Sequence, residues 1–170
     1  MTSEQQTQHS DLFEQLFQEY QQPILNYVYR LLGDRARAEE VAQDAFVKAY
    51  RALPKLPAEA NHRAWLYRIA TNAAYDQLRR RKLIQWLPLL DNDRNPSAEP
   101  AVEGQIGERE AVQQALGKLP PKYRSVLVLF TVQGYSTQEI GEMLDISTGA
   151  VKTRLYRARE LFRQAYGRDI

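Results

Sequence analysis

Trp65, Arg68, Asn72, Tyr75 and Arg79 recur at steps of three and four, the spacing that lines residues up along one side of a helix. These types suit binding more than bond-making. Aromatic rings stack on unpaired bases while Arg and Lys hold phosphates, and Asn can hydrogen-bond a base taken out of the stack. Taken alone, this helix reads slightly better as Trp65 and Tyr67 packed in a core with the arginines in water. A second set is more specific. A helix that buries Val151, Leu155, Ala158 and Phe162 turns Lys152, Thr153, Tyr156, Arg157 and Arg163 outward. Arg or Lys pairs with guanine, and Thr bonds a base or touches a thymine methyl.

The groups needed for catalysis are missing from the pattern. The 170 residues include no Cys and only two His. That excludes a thiol nucleophile, a disulfide scaffold and any thiolate metal site. His9 and His62 show no ligand spacing, and the carboxylates do not cluster. The expectation is a protein that is not an enzyme, with no catalytic residue, metal, cofactor or small-molecule substrate. No apolar run approaches the ~20 residues of a membrane helix, and no basic start followed by an apolar stretch marks a secretory signal. A cytoplasmic location is expected, without membrane insertion.

The elements that must position the two sets show in the charge pattern. Lys and Arg number 23 against 21 Asp and Glu, a formal net charge of +2. The near balance hides two basic segments. Between Arg63 and Lys82, six cations (Arg63, Arg68, Arg79, Arg80, Arg81 and Lys82) face Asp76 alone. Between Lys152 and Arg168, Lys152, Arg154, Arg157, Arg159, Arg163 and Arg168 face Glu160 alone. Either cluster by itself could be a solvated helix face; the pair points to a polyanion, DNA or RNA. Between them, residues 83–107 hold Asp91, Asp93, Glu99 and Glu103 against Arg94, with Pro88, Pro96, Pro100, Gly104 and Gly107. Such composition buries too little apolar surface to offset ordering entropy. It reads as a flexible acidic linker, about 25 residues that reach roughly 80 Å when extended.

Everything else reads helical. Phe13, Leu16, Phe17 and Tyr20 share one helix face, Gln21-Gln22-Pro23 interrupts it, and Ile24, Tyr27, Val28 and Leu31 continue the stripe after Pro23 opens a new helix. Gly33 suits a helix C-terminus and Asp34 an N-cap. Ala38, Val41, Ala42, Ala45, Phe46 and Ala49 line the helix that follows, to about Leu53. After a loop from Pro54 to Asn61 comes the helix from His62 to about Lys82. Beyond the linker a helix is expected from about Glu103 to Leu116, and Pro121 opens another. Its run Val126 to Phe130 is equally compatible with a buried strand by periodicity, but helical neighbours favour a helix.

Ser136-Thr137-Gln138-Glu139 is a capping box opening a short helix to about Leu144. Ser147 caps a second helix from about Thr148 to Tyr166. Two helices joined by a three-to-four-residue turn form the DNA-reading helix-turn-helix, whose second helix places its N-terminal exposed residues against base edges. Gly141 is small where the helices must cross closely, and Asp145 sits where the turn needs a left-handed residue.

Together these residues resemble the extracytoplasmic-function (ECF) class of bacterial sigma factors in the sigma-70 family. The resemblance rests on AEEVAQDAFVKAYRAL (Ala38 to Leu53), WLYRIATNAAYDQLRRRK (Trp65 to Lys82), LPPKYRSVLVLF (Leu119 to Phe130) and GYSTQEIGEMLDISTGAVKTRLYRARELF (Gly134 to Phe162), in that order. It implies an all-α fold of two small helical domains: residues 1–82, polymerase-binding and downstream-element reading, and residues 108–170, with the helix-turn-helix, joined by the linker 83–107. It implies that Gln43, Asp44, Phe46, Lys48 and Arg51 dock on a coiled coil of core RNA polymerase. His62, Arg63, Trp65, Tyr67, Arg68, Asn72 and Arg79 would read and melt the downstream promoter element, with the loop from Pro54 to Arg63 shaping a base pocket floored by Asn72. Lys152, Thr153, Arg154, Tyr156 and Arg157 would read the upstream element. The implied partners are bacterial core RNA polymerase, promoter DNA and a cognate anti-sigma factor, which could hold the chain near the membrane. Tyr75 stands where many relatives carry a basic or polar residue.

The runner-up is a helix-turn-helix regulator that acts without joining polymerase. It needs a dimer or ligand domain where this chain instead carries a second DNA-like face. A nuclease would need a carboxylate cluster or a metal site, and the sequence offers neither.

Overall fold

Helix formation follows the apolar spacing and the caps closely. The computed structural model describes residues 2–86 and 107–167, and among them every regular element is helical. The order is α1 (Ser3–Leu32), α2 (Arg35–Ala52), a 3-10 turn (Leu53–Lys55), α3 (His62–Trp86), α4 (Glu108–Gly117), α5 (Pro121–Thr131), α6 (Thr137–Leu144) and α7 (Thr148–Tyr166). Gly33 closes α1 in the left-handed region at φ 75°, and the Asp34 side chain caps α2 by accepting from the Arg37 N–H. Val126 to Phe130 is helical, within α5.

Two boundaries differ from the sequence expectation. Pro23 does not break the first helix but lies inside α1. A proline inside a helix removes one backbone hydrogen bond and costs ~3 kcal/mol. Burial offsets this: Leu16, Ile24, Tyr27, Val28 and Leu31 keep one register through the proline and are buried, at ~1.5–3 kcal/mol for each large apolar side chain. α3 runs on to Trp86, four residues past Lys82, so the first residues assigned to the linker are helical. α4 is described only from Glu108; its expected start and most of the linker, residues 87–106, lie outside the described residues.

α1, α2 and α3 pack on one another, and α7 packs across α4, α5 and α6. The two groups of helices also meet. α3 lies against α6, α1 lies against α4 and α5, and the buried side chains of both groups join in one continuous core. Polar pairs are built into it. The Tyr27 and Thr71 hydroxyls are 2.9 Å apart, and Thr71 donates to the Tyr67 carbonyl at 2.6 Å. Burial pushes both tyrosine pKa values far up, so the phenols stay neutral.

The tight turn between α6 and α7 is made by the residues expected. Ser136 accepts from the Glu139 N–H at 3.1 Å, and the Glu139 carboxylate accepts from the Ser136 N–H at 3.2 Å. Asp145 adopts φ 56° and ψ 49°, the one non-glycine in the left-handed region among the described residues. A Cβ on Gly141 would stand 2.8 Å from the Ile146 carbonyl oxygen. Backbone cannot yield as a flexible side chain does, so Gly141→Ala is expected to lower unfolding stability by ~1–3 kcal/mol, the usual cost of overpacking. Urea denaturation checks this; an unchanged midpoint would mean that the turn relaxes freely.

Candidate nucleic-acid interface

α7 carries the upstream set on its solvent side. Ser147 caps it, accepting from the Ala150 N–H at 3.1 Å. Val151, Leu155 and Ala158 are buried beneath. Lys152, Thr153, Tyr156 and Arg157 are exposed, Tyr156 at 66%. Arg157 lies 3.3 Å from Glu160, a solvated pair that constrains the guanidinium weakly. Arg154 is only half-buried and turns the other way, close enough to Tyr75 for its charge to oppose the upward push of burial on that phenol. Four of the five expected residues therefore share one open, positively charged face.

The downstream set is split. Asn61 caps α3 by accepting from the Ala64 N–H at 3.0 Å, which fixes how the following residues emerge. His62, Arg63, Trp65 and Arg68 are half-buried, whereas Asn72 and Arg79 are exposed. Arg79 pairs with Asp76 one turn back. Tyr67 corrects the expectation of an open reading residue. It is fully buried, with Tyr27 and Tyr135 ring centroids at 5.5 and 5.3 Å, and its hydroxyl donates to Gln133 at 2.6 Å. Its phase explains this: Tyr67, Ala70 and Ala74 fall on the buried side of α3. Tyr75, too, is engaged, with its hydroxyl 2.6 Å from that of Ser125.

A cleft of about 530 Å³ opens beside this set. Leu56, Ala60 and Asn61 of the loop and Trp65 and Arg68 of α3 line one side. The other side is the α6–α7 turn, including Gly141, Glu142 and Asp145. Asn72 does not line this cleft. Glu142 accepts from Asn61 Nδ2 at 2.7 Å through its carboxylate and from Arg68 through its carbonyl oxygen. The Arg63 guanidinium pairs with Glu139 and lies 5.1 Å from the centroid of the Tyr135 ring. Ser136's backbone and side chain, and then the Arg63 charge, hold the Glu139 carboxyl below its ordinary range. The sequence singled out Glu139 only as a cap, and Glu142 and Gln133 not at all.

α2 carries the third set. Gln43, Asp44, Lys48 and Arg51 are exposed, and Phe46 is buried. Phe46 meets Phe17 edge-on at 5.0 Å and Phe13 at 6.5 Å. With Val47, Tyr50 and Gln43 these rings line an apolar groove of about 500 Å³ between α1 and α2. Tyr50 is 54% exposed, Val47 44% and Phe17 38%. Phe13 and Phe17 were legible as a helix stripe, but not as the wall of an open groove.

Among the described residues no group of three His, Cys, Asp or Glu side chains is placed to hold a metal, and no helix is long and apolar enough to cross a membrane.

Comparison with known proteins gives the family. The sigma-70 region 2 family model matches residues 16–84, which span α1 to α3, and the sigma-70 region 4 model matches residues 109–162, which span α4 to α7. The chain is 34% identical over 165 residues to the ECF RNA polymerase sigma factor SigW of Bacillus subtilis, covering 91% of this chain and 88% of that protein. Its fold is similar to that of CnrH, solved with the cytosolic domain of CnrY, at TM-score 0.67 and 27% identity, covering 95% and 91% of the two chains. It is also similar in fold to the sigma factor RpoE of Bartonella quintana, solved with the anti-sigma factor NepR, at TM-score 0.71 and 24% identity, covering 93% and 98%. The chain therefore belongs to the ECF sigma factors of the sigma-70 family, non-enzymatic subunits that direct RNA polymerase to promoters.

Proposed function

We propose that this sigma factor reads its promoters with two separate surfaces and rides on polymerase through a third. The observation that carries the reading is the open basic face of α7 behind a capped turn. Lys152, Thr153, Tyr156 and Arg157 meet base edges and phosphates of the upstream element, with Arg154 at the margin. Residues 108–170 form the upstream-reading module, 1–82 the polymerase-binding and downstream-reading module, and 83–107 the connection between them.

In the downstream element, His62, Arg63, Trp65, Arg68, Asn72 and Arg79 hold an opened strand. Unstacking costs a few kcal/mol, and stacking on an aromatic returns ~1–3 kcal/mol per base. The balance is close, so opening depends on which bases are captured. Tyr67 supports this surface from beneath by fixing α3. Exposed Asn72 contributes base recognition. Good bidentate pairs discriminate by ~1–3 kcal/mol, so Asn72→Ala should relax preference at one downstream position by about tenfold. Run-off transcription on a library randomised there checks this; an unaltered base profile would remove Asn72 from the reading set.

Gln43, Asp44, Lys48 and Arg51, beside the groove walled by Phe46, dock on a coiled coil of core polymerase. The groove offers apolar surface with a polar rim, which suits a helix laid into it. An anti-sigma factor is proposed as a further partner, and the cytoplasm as the location.

A further inference from the structure

We infer that the cavity between the end of α1 and the start of α4 binds a small phosphorylated ligand of nucleotide size. The inference stands apart from the reading of α3 and α7 as DNA surfaces and uses none of their reading residues.

The cavity encloses about 690 Å³, within the range of sites that hold a small molecule. Tyr29 and Arg30 in the last turn of α1 form one wall. Arg109, Glu110 and Gln113 of α4 form the other, and Arg124 of α5 completes the lining. The charge is one-sided. Three arginines stand against Glu110, and among the described residues none of the three pairs with a carboxylate. Arg124 is buried, and its Nε has no hydrogen-bond partner. The carbonyls that its other nitrogens serve satisfy N–H groups but neutralise no charge. Arg81, which donates to the Leu32 carbonyl at 3.1 Å, adds a fourth cation nearby. Burial first, and the Arg81 charge as a lesser cause, push the Arg124 pKa below its ordinary value. The group therefore keeps its charge at a cost that a bound anion relieves.

A cleft of one sign between low-dielectric walls focuses its field on an anion. Arg30 is half-buried and Arg109 exposed, so both forks are within reach of a ligand. A guanidinium fork matches two phosphate oxygens at once. A lone carboxylate or inorganic phosphate needs one such fork and leaves most of the volume empty. Several phosphate oxygens on a larger body use the cations and the volume together.

The remaining lining suits that body. The Tyr29 ring lies beside Arg30, whose guanidinium carbon is 6.0 Å from the ring centroid. Gln113 brings an amide that both donates and accepts. It is held in place by donating from Nε2 to the Arg30 carbonyl at 3.1 Å, and by a longer 3.4 Å bond from the Arg30 guanidinium to Oε1. Aromatic faces stack on any base, and an amide bonds a base edge. Phosphates then sit between Arg30 and Arg109, over the Arg124 charge, with the base toward Tyr29 and Gln113.

The test is calorimetric titration of the full chain in low salt with GDP, ATP and inorganic pyrophosphate. The parent should bind GDP or ATP one-to-one with a Kd of about 1–100 µM, ordinary for ligands of this size. Arg30→Gln and Arg109→Gln should each weaken that binding about tenfold or more, with unchanged helix content by circular dichroism. Gln15→Glu makes the same change in net charge at an exposed position in the middle of α1 and should stay within twofold of the parent. Pyrophosphate should bind about tenfold more weakly than the better nucleotide. Absence of saturable nucleotide binding would overturn the inference. So would equal binding by the parent and both arginine variants, which would place the nucleotide on other basic surfaces, or an equal loss in Gln15→Glu. Pyrophosphate binding as tightly as either nucleotide would overturn it too, since the base and sugar would then contribute nothing.

Discussion

Arg124→Met should cost ~3–5 kcal/mol of unfolding stability. Arg124 is 7% exposed and has no carboxylate partner among the described residues; its guanidinium instead serves carbonyl oxygens. One branch donates to the Leu31 carbonyl at the end of α1. The other donates to Gly117 and Leu119, 3.1 and 2.8 Å away, where α4 ends. The last carbonyls of a helix have no partner within it, and a cation there also meets the negative end of the dipole. One side chain thus closes two helices, one from each module. Burial pushes its pKa down from the ordinary value, the cost of drying the charge. Methionine keeps most of the aliphatic stem but leaves three carbonyls unserved, each worth ~1–3 kcal/mol. At ~2–4 °C per kcal/mol for a chain of this size, the melting midpoint should drop by about 10 °C. Arg124→Lys should recover less than half, because a compact ammonium lacks the fork that reaches both helix ends. Urea unfolding measures both; a loss under ~1 kcal/mol for Arg124→Met would mean that water serves those carbonyls adequately.

The second large effect concerns function. The pair Lys152→Ala and Arg157→Ala should reduce transcription from a promoter carrying the upstream element by about 100-fold, with little change in stability. Both side chains are exposed, so their removal opens no cavity. On the proposed reading, each makes a base interaction worth ~1–3 kcal/mol. Without both, binding weakens by ~3 kcal/mol, and 1.4 kcal/mol is a factor of ten. The salt slope of binding should also flatten by about 0.9 for each phosphate that is no longer neutralised. Run-off transcription with core polymerase at several salt concentrations checks both. Activity within twofold of the parent would move upstream recognition away from this face.

Local features proved legible wherever one residue's chemistry decides the backbone. Gly33 and Asp145 in left-handed conformations, the Ser136–Glu139 box and the close approach at Gly141 all follow from side-chain size and short-range hydrogen bonding. So does the open basic face of α7, since burying Val151, Leu155 and Ala158 leaves few choices for Lys152 and Arg157. Pro23 misled because a local rule was outweighed by packing along the whole of α1. The helix pattern alone favoured a core position for Tyr67, which shares a side with Ala70 and Ala74; only the family resemblance set it among the DNA-reading residues. The seam between modules was the least legible. Periodicity tells which face of a helix is buried, not which distant helix buries it. Glu142 on a short helix gives no sign that its partners are Asn61 and Arg68, 81 and 74 residues away.

The most direct test is run-off transcription with core polymerase across fragmented genomic DNA, with all start sites aligned. The account predicts discrete start sites that share two separated sequence blocks, the upstream one lost in the Lys152→Ala and Arg157→Ala pair and the downstream one altered by Asn72→Ala. Start sites sharing a single block, or two blocks indifferent to both sets of substitutions, would contradict it.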